Sequence, residues 1–406
     1  MRNEDILILR EVAKEYAEIA ALPVHAEKRA MWKKLNAIQM ERPMVLIDQI
    51  PWGELNFDGS LTLKVEDPYW RKVEEEMRQT IYKFRHMPAD MVVNPYVCLP
   101  RPIIDSGWGI NAKTKNRLQL NDEITSREYE CQIESMEDVE RIQMPVVTLD
   151  VAREAEIVQQ AKVIFDGIID FRMTGKVMHL GIWDTIAEWM GVENCYYAIV
   201  DEPEMIHALM EKLCKGLIAR KEQMNALELF DVNSHICHCS QTFTDDLPGE
   251  NVKATSENAW SFGLAQLFTA VSPRVTDEFE VEYMKNVFPH FGAIYYGCCD
   301  RLDDRMQYIA KLPNIRKLSC SPWSEREPFA EKMPAHCVMS NKPNPSFLAE
   351  GNLDEDKVRA DIRRTIAAAK AYGRSLELIQ KDISTVNGNP QTLFRWHDIA
   401  MEEVMR

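Results

Sequence analysis

The feature that most constrains the fold is a series of short apolar runs separated by long amphipathic stretches. Eight such runs end in polar, glycine or proline residues, and they cover residues 43–52, 90–100, 176–184, 227–239, 292–300, 315–323, 335–345 and 376–386. Apolar strands that alternate with helices are typical of a parallel sheet with helices on its faces. Eight of them predict an α/β fold, a closed (β/α)8 TIM barrel.

Two of the helices between these runs are clearly marked. The sequence Asp201-Glu202-Pro203-Glu204 has an acidic cap, a proline in the first turn and a further acid behind it, which is a typical helix start. A second helix begins near Leu353-Asp354-Glu355-Asp356. Their apolar faces repeat at helical spacing, with Ile206, Leu209, Met210, Leu213 and Leu217 in the first and Val358, Ile362, Ile366 and Ala369 in the second.

The same patterns suggest how the chain is organised. Residues 1–40 are predicted to form an N-terminal helical extension, followed by a TIM-barrel catalytic domain over 41–406. The alternation is interrupted at about 101–150, where the segment DSGWGINAKTKNRLQLNDEITSREYECQIES contains turns and polar strands. We interpret it as a hairpin-like insertion after the second strand that forms a flap over the barrel mouth. Residues 240–262 form another long connection, of a length that is usually functional or disordered.

Composition excludes several classes of partner. The formal net charge is −16, which argues against nucleic acid and anionic membranes because both need clustered Lys and Arg. Charges recur at short intervals in MRNEDILILREVAKEY, and no stretch of eighteen apolar residues occurs, so we expect neither a signal peptide nor a membrane helix. The expected location is the cytoplasm, where the 10 cysteines are thiols, structural or metal-binding.

Thiols are common where the predicted strands end, and active sites of such barrels lie at these ends. Cys298 and Cys320 end consecutive strands, and Glu278 precedes the first of them by about twenty residues. Zinc favours sulfur ligands joined by His or a carboxylate, so these residues are candidate metal ligands. The competing interpretation is that they are buried structural cysteines. Further polar strand ends are Ser340-Asn341-Lys342 and Lys381-Asp382, which are assigned no role.

The stretch His235-Ile236-Cys237-His238-Cys239 also has metal-ligating residue types. In a strand, His235, Cys237 and Cys239 would point to one face and His238 to the other, which is awkward for a single ion. We therefore favour substrate contact or structural packing over metal ligation there. His238 or His235 is the candidate to protonate a leaving group.

Aromatic residues at the strand ends predict an apolar pocket for a planar or methylated organic substrate. These are Trp52, Tyr96, Trp183, Tyr295 and Trp323. Core packing is the alternative interpretation. The dinucleotide, phosphate-loop and esterase signatures GxGxxG, GxxxxGK[ST] and GxSxG do not occur. We predict substrate contacts for Trp52, Asn94, Tyr96, Trp183, Asp184 and Tyr296.

Three segments resemble the uroporphyrinogen decarboxylase superfamily, in the right order and over roughly residues 40–400. They are GIWDTIAEWMGVENCYYAIVDEPEMIHALMEKL, SPRVTDEFEVEYMKNVFPHFGAIYYGCCD and SNKPNPSFLAEG. True decarboxylases of the superfamily carry an arginine-rich segment after the first strand. This chain has Asp48-Gln49-Ile50-Pro51-Trp52-Gly53-Glu54 there, which should repel a polyanionic tetrapyrrole.

The chain resembles the cobalamin-dependent methyltransferases of that superfamily more closely. The resemblance implies zinc at the barrel mouth, and a methyl group moved between a small substrate and the cobalamin of a partner corrinoid protein. The family's His-x-Cys falls on Tyr296-Gly297-Cys298, so the cysteine matches and the histidine is replaced. Cys299 stands where glycine is usual, and Cys320 or Cys337 would be the later cysteine. The implied metal set is Glu278, Cys298, Cys299, Cys320 and Cys337.

The expected reaction is demethylation of a methoxylated aromatic or methylamine-like substrate, as in anaerobic O-demethylation. Related barrels are often dimers, so a homodimer is one expectation and the oligomeric state stays open. The enzymatic alternative is a metal-free lyase that acts on a small carboxylic acid through Asp48 or Asp184. The non-enzymatic alternative is a barrel that only binds, and thereby regulates, a corrinoid protein or a small ligand.

Overall fold

The architecture was taken from a computed structural model, which describes residues 1–119, 125–249 and 252–406. Fourteen strands occur in these ranges. They are β1 (Met44–Ile47), β2 (Tyr96–Pro100), β3 (Ile103–Asp105), β4 (Thr114–Gln119), β5 (Thr125–Tyr129), β6 (Val147–Leu149), β7 (Asp170–Thr174), β8 (Ile236–Cys237), β9 (Ser240–Gln241), β10 (Trp260–Gly263), β11 (Ala293–Tyr296), β12 (Ile315–Cys320), β13 (Val338–Asn341) and β14 (Leu376–Gln380).

Sixteen helices occur in the same ranges. They are α1 (Asn3–Ala20), α2 (Val24–Asn36), α3 (Trp52–Leu55), α4 (Pro68–His86), α5 (Met136–Arg141), α6 (Val151–Phe165), α7 (Ile182–Met190), α8 (Val192–Asp201), α9 (Pro203–Ala226), α10 (Pro273–Thr276), α11 (Glu282–Val287), α12 (Met306–Ile309), α13 (Arg326–Lys332), α14 (Ser346–Ala349), α15 (Glu355–Ala371) and α16 (Gln391–Val404). The two predicted helix starts are confirmed in α9, which begins at Pro203, and in α15, where the Asp354 carboxylate accepts from the Lys357 N–H at 3.0 Å.

A six-stranded parallel sheet forms the centre of the fold, in the order β1-β14-β13-β12-β11-β10. All its pairs are parallel, with Val45 opposite Leu378 in the first pair and Phe262 opposite Tyr295 in the last. Its strands are buried on both faces, which explains their nearly continuous apolar sequences. The α/β class with a parallel sheet is therefore established.

Further segments continue this sheet beyond its two edges. Strands β2 and β7 form a separate parallel pair. The Asp90 N–H donates to the Val45 carbonyl at 2.9 Å, just before β2, and His179 bridges to Phe262 in β10, just after β7. Hydrogen bonds thus run from β1 through residues 90–100 and 170–180 to β10. The closed eight-stranded barrel stays a prediction, because the six-stranded sheet and the β2–β7 pair are joined only by these isolated contacts within the described residues.

Two strand predictions are wrong. The segment 227–239 contains only a bridge at Phe230 and the short β8, and the strand that enters the sheet is β10, within the predicted connection 240–262. The segment 176–184 makes isolated bridges at Lys176 and His179, and α7 starts at Ile182. In both cases the apolar residues belong to a loop or a helix, and a short apolar run alone does not distinguish these from a strand.

The predicted extension and insertion have the following local structure. Residues 3–36 contain α1 and α2, and the Trp32 indole N–H anchors α2 to the Asp90 carbonyl at 2.8 Å. Within 101–150, β3 pairs with β6 and β4 with β5, both antiparallel. Residues 120–124 of this insertion and 250–251 of the later connection lie outside the described residues. The division into an extension and a catalytic domain, and the role of the insertion as a flap, stay predictions.

No helix in the described ranges is both long enough and apolar enough to cross a bilayer.

Candidate functional site

Two thiols and a carboxylate meet where β11 and β14 end. Gly297, at φ +89°, follows β11 and turns the chain, and the Cys298 N–H then donates to the Asp300 carboxylate at 2.7 Å. A Cβ on Gly297 would also lie only 2.8 Å from Leu302 Cδ1. Lys381 and Asp382 follow β14, and β12 and β13 lie between β14 and β11 in the sheet. The sheet must therefore curve for these side chains to touch.

The distances within this group are short. The Sγ atoms of Cys298 and Cys299 are 3.6 Å apart, and Cys299 Sγ lies 3.1 Å from Asp382 Oδ2, so the single Cys299 S–H can donate to one of these two neighbours at a time. Lys381 Nζ donates to Cys298 Sγ at 3.2 Å and lies 3.3 Å from Asp382 Oδ2. Among the described residues, Cys298, Cys299 and Asp382 are the group whose potential ligand atoms all lie within 4.8 Å of one another. We call these three residues the thiol–carboxylate cluster.

The two thiols have opposite proton affinities. The hydrogen bond from Cys299, aided by His238 and Lys381 and opposed by burial, lowers the pKa of Cys298 to about 3. The same hydrogen bond, together with burial and the charge of Asp382, raises the pKa of Cys299. One proton is therefore shared by two sulfur atoms, with Cys298 as the thiolate.

His238 lies beside Cys298 on the turn between β8 and β9. Its ring stacks on Phe262, with centroids 4.0 Å apart and planes 5° apart, and its Nε2 lies 2.8 Å from Lys381 Nζ. Burial lowers the pKa of His238, but hydrogen bonds with Cys239 and Cys298 outweigh burial and raise it to about 9.

The contact with Lys381 and the raised pKa of His238 describe two different states. A protonated imidazole cannot accept a hydrogen bond from an ammonium group. In one state Lys381 donates to neutral His238. In the other, the imidazolium faces the Cys239 and Cys298 thiolates and Lys381 keeps only its sulfur and carboxylate partners. The 2.8 Å contact is that of the first state.

Backbone strain is concentrated around this site. His235, His238 and Asp382 have φ values of +57°, +55° and +55°. Non-glycine residues adopt this left-handed conformation at a cost, and it persists where surrounding contacts impose it, often at functional sites.

Two buried lysines support the site from within the sheet. Lys317 Nζ donates to Glu377 at 2.6 Å, to the Ser240 hydroxyl at 2.7 Å and to the Gln241 carbonyl at 3.1 Å, and both members of the ion pair are fully buried. Lys342 donates to Tyr295 and, at 2.6 Å, to the Ser340 hydroxyl. Lys317 thus fixes the strand that follows His238.

A second group of acids lies on the β10–β11 side. Burial, with a contribution from Asp300, raises the pKa of Asp184 to about 7, and its Oδ2 lies 3.8 Å from His179 Nε2. Burial raises the pKa of Asp300 to about 6. The fully buried Glu280 accepts a hydrogen bond from the Tyr296 hydroxyl at 3.3 Å.

The structure brings together only part of the predicted metal set. Cys298 and Cys299 lie in the cluster. Glu278 is on a π-helical turn, 54% exposed, with Oε1 3.8 Å from His207 Nε2. Cys320 Sγ accepts from the Asn341 amide at 3.6 Å, and Cys337 Sγ donates to the Ile315 carbonyl at 3.3 Å.

The structure therefore does not bring Glu278, Cys320 and Cys337 together with the cluster. Cys337 precedes β13 and so lies at the amino end of that strand, away from the site. Burial raises the pKa of both the Cys320 and Cys337 thiols to about 12, as expected for structural cysteines. Glu278 lies instead beside His207 of α9.

The predicted histidines have different surroundings. His238 reaches the cluster, whereas His235 stacks on Phe243 with ring centroids 4.5 Å apart. The expected strand alternation is absent because β8 and β9 form a hairpin whose two-residue turn is His238-Cys239.

The predicted substrate residues also separate. Trp52 and Asn94 line a cavity of about 530 Å³. Trp183 and Tyr296 are fully buried in the core, the former donating to the Phe279 carbonyl at 3.0 Å, so neither can contact a substrate there. Tyr96 is buried, and its hydroxyl donates to the Asn233 carbonyl at 2.8 Å. Asp184 remains partly exposed.

Lys381 and Asp382 were missed as site residues. Their only sequence signal is their position after a buried strand, which other polar strand ends share. A second cavity, of about 340 Å³, borders the cluster. Cys299, Lys381 and Asp382 line it, together with the exposed Trp323.

Similarity to known proteins is limited to structural similarity at low sequence identity. No protein-family model matches the chain, and no curated protein is similar enough to match it. Among solved structures the chain is similar to a methyltransferase from Methanosarcina mazei, with a TM-score of 0.48 and 12% identity over 91% of this chain and 97% of that chain.

Proposed function

We propose that the protein is a methyltransferase that binds zinc through Cys298, Cys299 and Asp382. It moves a methyl group from a small methylated substrate, a methoxylated aromatic compound or a methylated amine, to the cobalamin of a separate corrinoid protein. The observation that supports this proposal is the convergence of two thiols and one carboxylate at the ends of β11 and β14.

The donor set fits zinc in chemistry and spacing. Zinc prefers thiolates joined by nitrogen or oxygen ligands, and a catalytic site has three protein ligands and one open position. Two thiolates on one tetrahedral zinc ion lie about 3.8 Å apart, from Zn–S bonds of about 2.3 Å. The Cys298 and Cys299 sulfur atoms are 3.6 Å apart. Zinc bound there would act as a Lewis acid that stabilises negative charge on the atom losing its methyl group.

The chain's own residues prepare this chemistry. Lys381 keeps negative charge on Cys298 by donating to its sulfur at 3.2 Å. His238 is held by its stack on Phe262 and, when protonated, carries a proton that it can give to a leaving group. The buried Lys342 and Tyr295 exclude water from the sheet side of the site.

A metal-free lyase is the second candidate, supported by Asp184. Its pKa of about 7 suits a general acid near neutral pH, and it lies beside His179 at the mouth of the fold. This candidate expects that activity survives metal removal and is lost in Asp184→Asn.

The test is zinc content and methyl transfer in matched variants. The wild-type protein, purified without oxygen, should contain about one zinc ion per chain. Cys298→Ala, Cys299→Ala and Asp382→Asn should each lose most of it. Cys214→Ala is the control, because this half-buried cysteine of α9 lies outside the cluster.

The transfer itself is measured with reduced corrinoid protein and candidate methyl donors, by the visible spectrum of methylcobalamin. We expect transfer by the wild type and by Cys214→Ala, but not by the cluster variants. Full zinc content in Cys298→Ala, or transfer that withstands complete zinc removal, would contradict the proposal.

A further inference from the structure

The cavity of about 530 Å³ lies where the sheet is interrupted between β1 and β2. Its walls come from the end of β1, from the inner side of α4, from residues 91–98 and from the loop that carries His238. It reaches His238 and Cys239 at its inner end. Because His238 hydrogen-bonds with Cys298, the cavity ends one contact from the thiol–carboxylate cluster.

Carboxyl groups outnumber lysines in this wall. Among the described residues that line it, Asp48, Glu76 and Asp231 are carboxylates and Lys83 is the one lysine. Lys83 Nζ is 3.9 Å from Asp48 Oδ1, so this ammonium is already offset. Glu76 and Asp231 have no lysine or arginine partner in the wall, although Asp231 accepts from the Asn233 and Ser234 N–H groups at 2.9 and 3.0 Å. His238, at the inner end, is the one further group of the described lining that can carry positive charge.

Two buried amides in the wall add unused acceptors. Asn94 and Gln241 line the cavity and are only 9% and 7% exposed. Within the described part of the chain, Asn94 Oδ1 and Gln241 Oε1 have no hydrogen-bond partner. The Asn94 amide nitrogen donates to the Ser234 carbonyl at 3.2 Å, which fixes the oxygen on the other side. Unmatched buried acceptors are costly unless a donor reaches them.

Aromatic side chains complete the environment. Trp52 and Tyr16 also line the cavity. Aromatic faces attract organic cations, including quaternary ammonium groups. Carboxylates, amide oxygens and aromatic rings together are what a cation with N–H or N–CH3 groups requires. A phenolate or a carboxylate would find acceptors where it needs donors.

We infer that this cavity binds a small organic ammonium ion, and that this ion is a methylated amine whose methyl group is transferred. On transfer the N–CH3 bond would break, the methyl group would pass to the reduced corrinoid, and the amine would leave as a neutral molecule that keeps the electron pair of that bond. The role as methyl donor rests on the proposed function, whereas binding of the cation does not. The inference selects the amine class over the methoxylated aromatic class, and it places the substrate on the His238 side of the cluster.

The test is calorimetric titration of the full-length protein with choline and with 3,3-dimethylbutan-1-ol, which has the same shape but no charge. Choline should bind at least about tenfold more tightly than the alcohol, which corresponds to about 1.4 kcal/mol. Glu76→Gln should weaken choline binding by about tenfold. Glu75→Gln is the matched control, because Glu75 is a neighbouring carboxylate on the same helix that does not line the cavity.

Two results would overturn the inference: equal affinity for choline and the neutral alcohol, or unchanged choline affinity in Glu76→Gln. Cys298→Ala separates this inference from the proposed function. If it binds choline like the wild type but lacks zinc, both stand. Cation binding by a wild type without zinc or methyl transfer refutes only the proposed function. Methyl transfer from neutral methoxylated arenes without any cation binding refutes only this inference.

Discussion

The buried Lys317 allows a quantitative test of how the site is supported. Replacing it by Met removes the ammonium that contacts Glu377, the Ser240 hydroxyl and the Gln241 carbonyl. Ser240 still donates to Glu377 at 2.8 Å, but the carboxylate stays buried without its counter-ion. The turn that carries His238 loses its connection to β12.

The expected cost follows from the burial of both partners. Removing one member of a buried ion pair typically costs about 3–5 kcal/mol, because the other charge stays buried and unpaired. A chain of 406 residues has an entropy of unfolding of roughly 0.85 kcal/mol/K near its Tm. A loss of about 4 kcal/mol therefore lowers the Tm by about 5 °C.

The measurement is thermal unfolding by circular dichroism, with hydrogen exchange of residues 235–241 as a local readout. Lys317→Met should lower the Tm and speed exchange in this segment. The control is Lys317→Met combined with Glu377→Leu, which replaces both charges by apolar groups and should recover most of the Tm. A single variant within about 1 °C of the wild type, or a double variant below the single one, would refute the reasoning.

Three further predictions concern single positions. In zinc-free protein at about pH 6, iodoacetamide should alkylate Cys298, because a thiol with a pKa of about 3 is ionised there, but not Cys337, whose pKa is about 12. Peptide mass spectrometry distinguishes the two labelled cysteines, and equal labelling would contradict the assignment. Gly175→Ala should destabilise the protein by about 1–3 kcal/mol in urea unfolding, because the added Cβ would lie 2.1 Å from the Leu229 carbonyl oxygen, and unchanged stability would show that the backbone moves freely. Asp184→Asn should raise the Tm by an amount that is absent below about pH 4 and complete above about pH 7. Between these values the carboxyl is ionised in the unfolded chain but still protonated in the folded one, so its raised pKa costs stability. An increase in Tm that does not depend on pH would count against this.

The site shows how far sequence patterns reach. Cys298 could be proposed because it ends a strongly apolar strand, and strand ends form sites in parallel sheets. Cys320 has the same signal but its thiol contacts Asn341 inside the sheet. The sequence contains no information on which of two such thiols points to the mouth, because that depends on the twist and curvature of the sheet.

The same limit applies to the histidines and the missed strand. His235 and His238 are three residues apart in one motif, yet only His238 reaches Cys298, because the turn between β8 and β9 reverses the chain. The strand β10 has the sequence WSFG, too short and too polar to distinguish from a loop. Conversely, the segment 227–239 is predicted as a strand from its apolar residues, but within it only Phe230 forms a bridge and Ile236–Cys237 form β8.

The sequence by itself determined the class of the fold, because helix caps and apolar runs are local properties of a segment. These properties predict five of the six central strands and the helices α9 and α15. Only the tertiary structure decided the site. Lys381 and Asp382 are more than eighty residues from Cys298 and follow a strand that is not its neighbour. Their contact depends on the curvature of the whole sheet. This curvature arises from all the strands together, so no single segment of the sequence determines it.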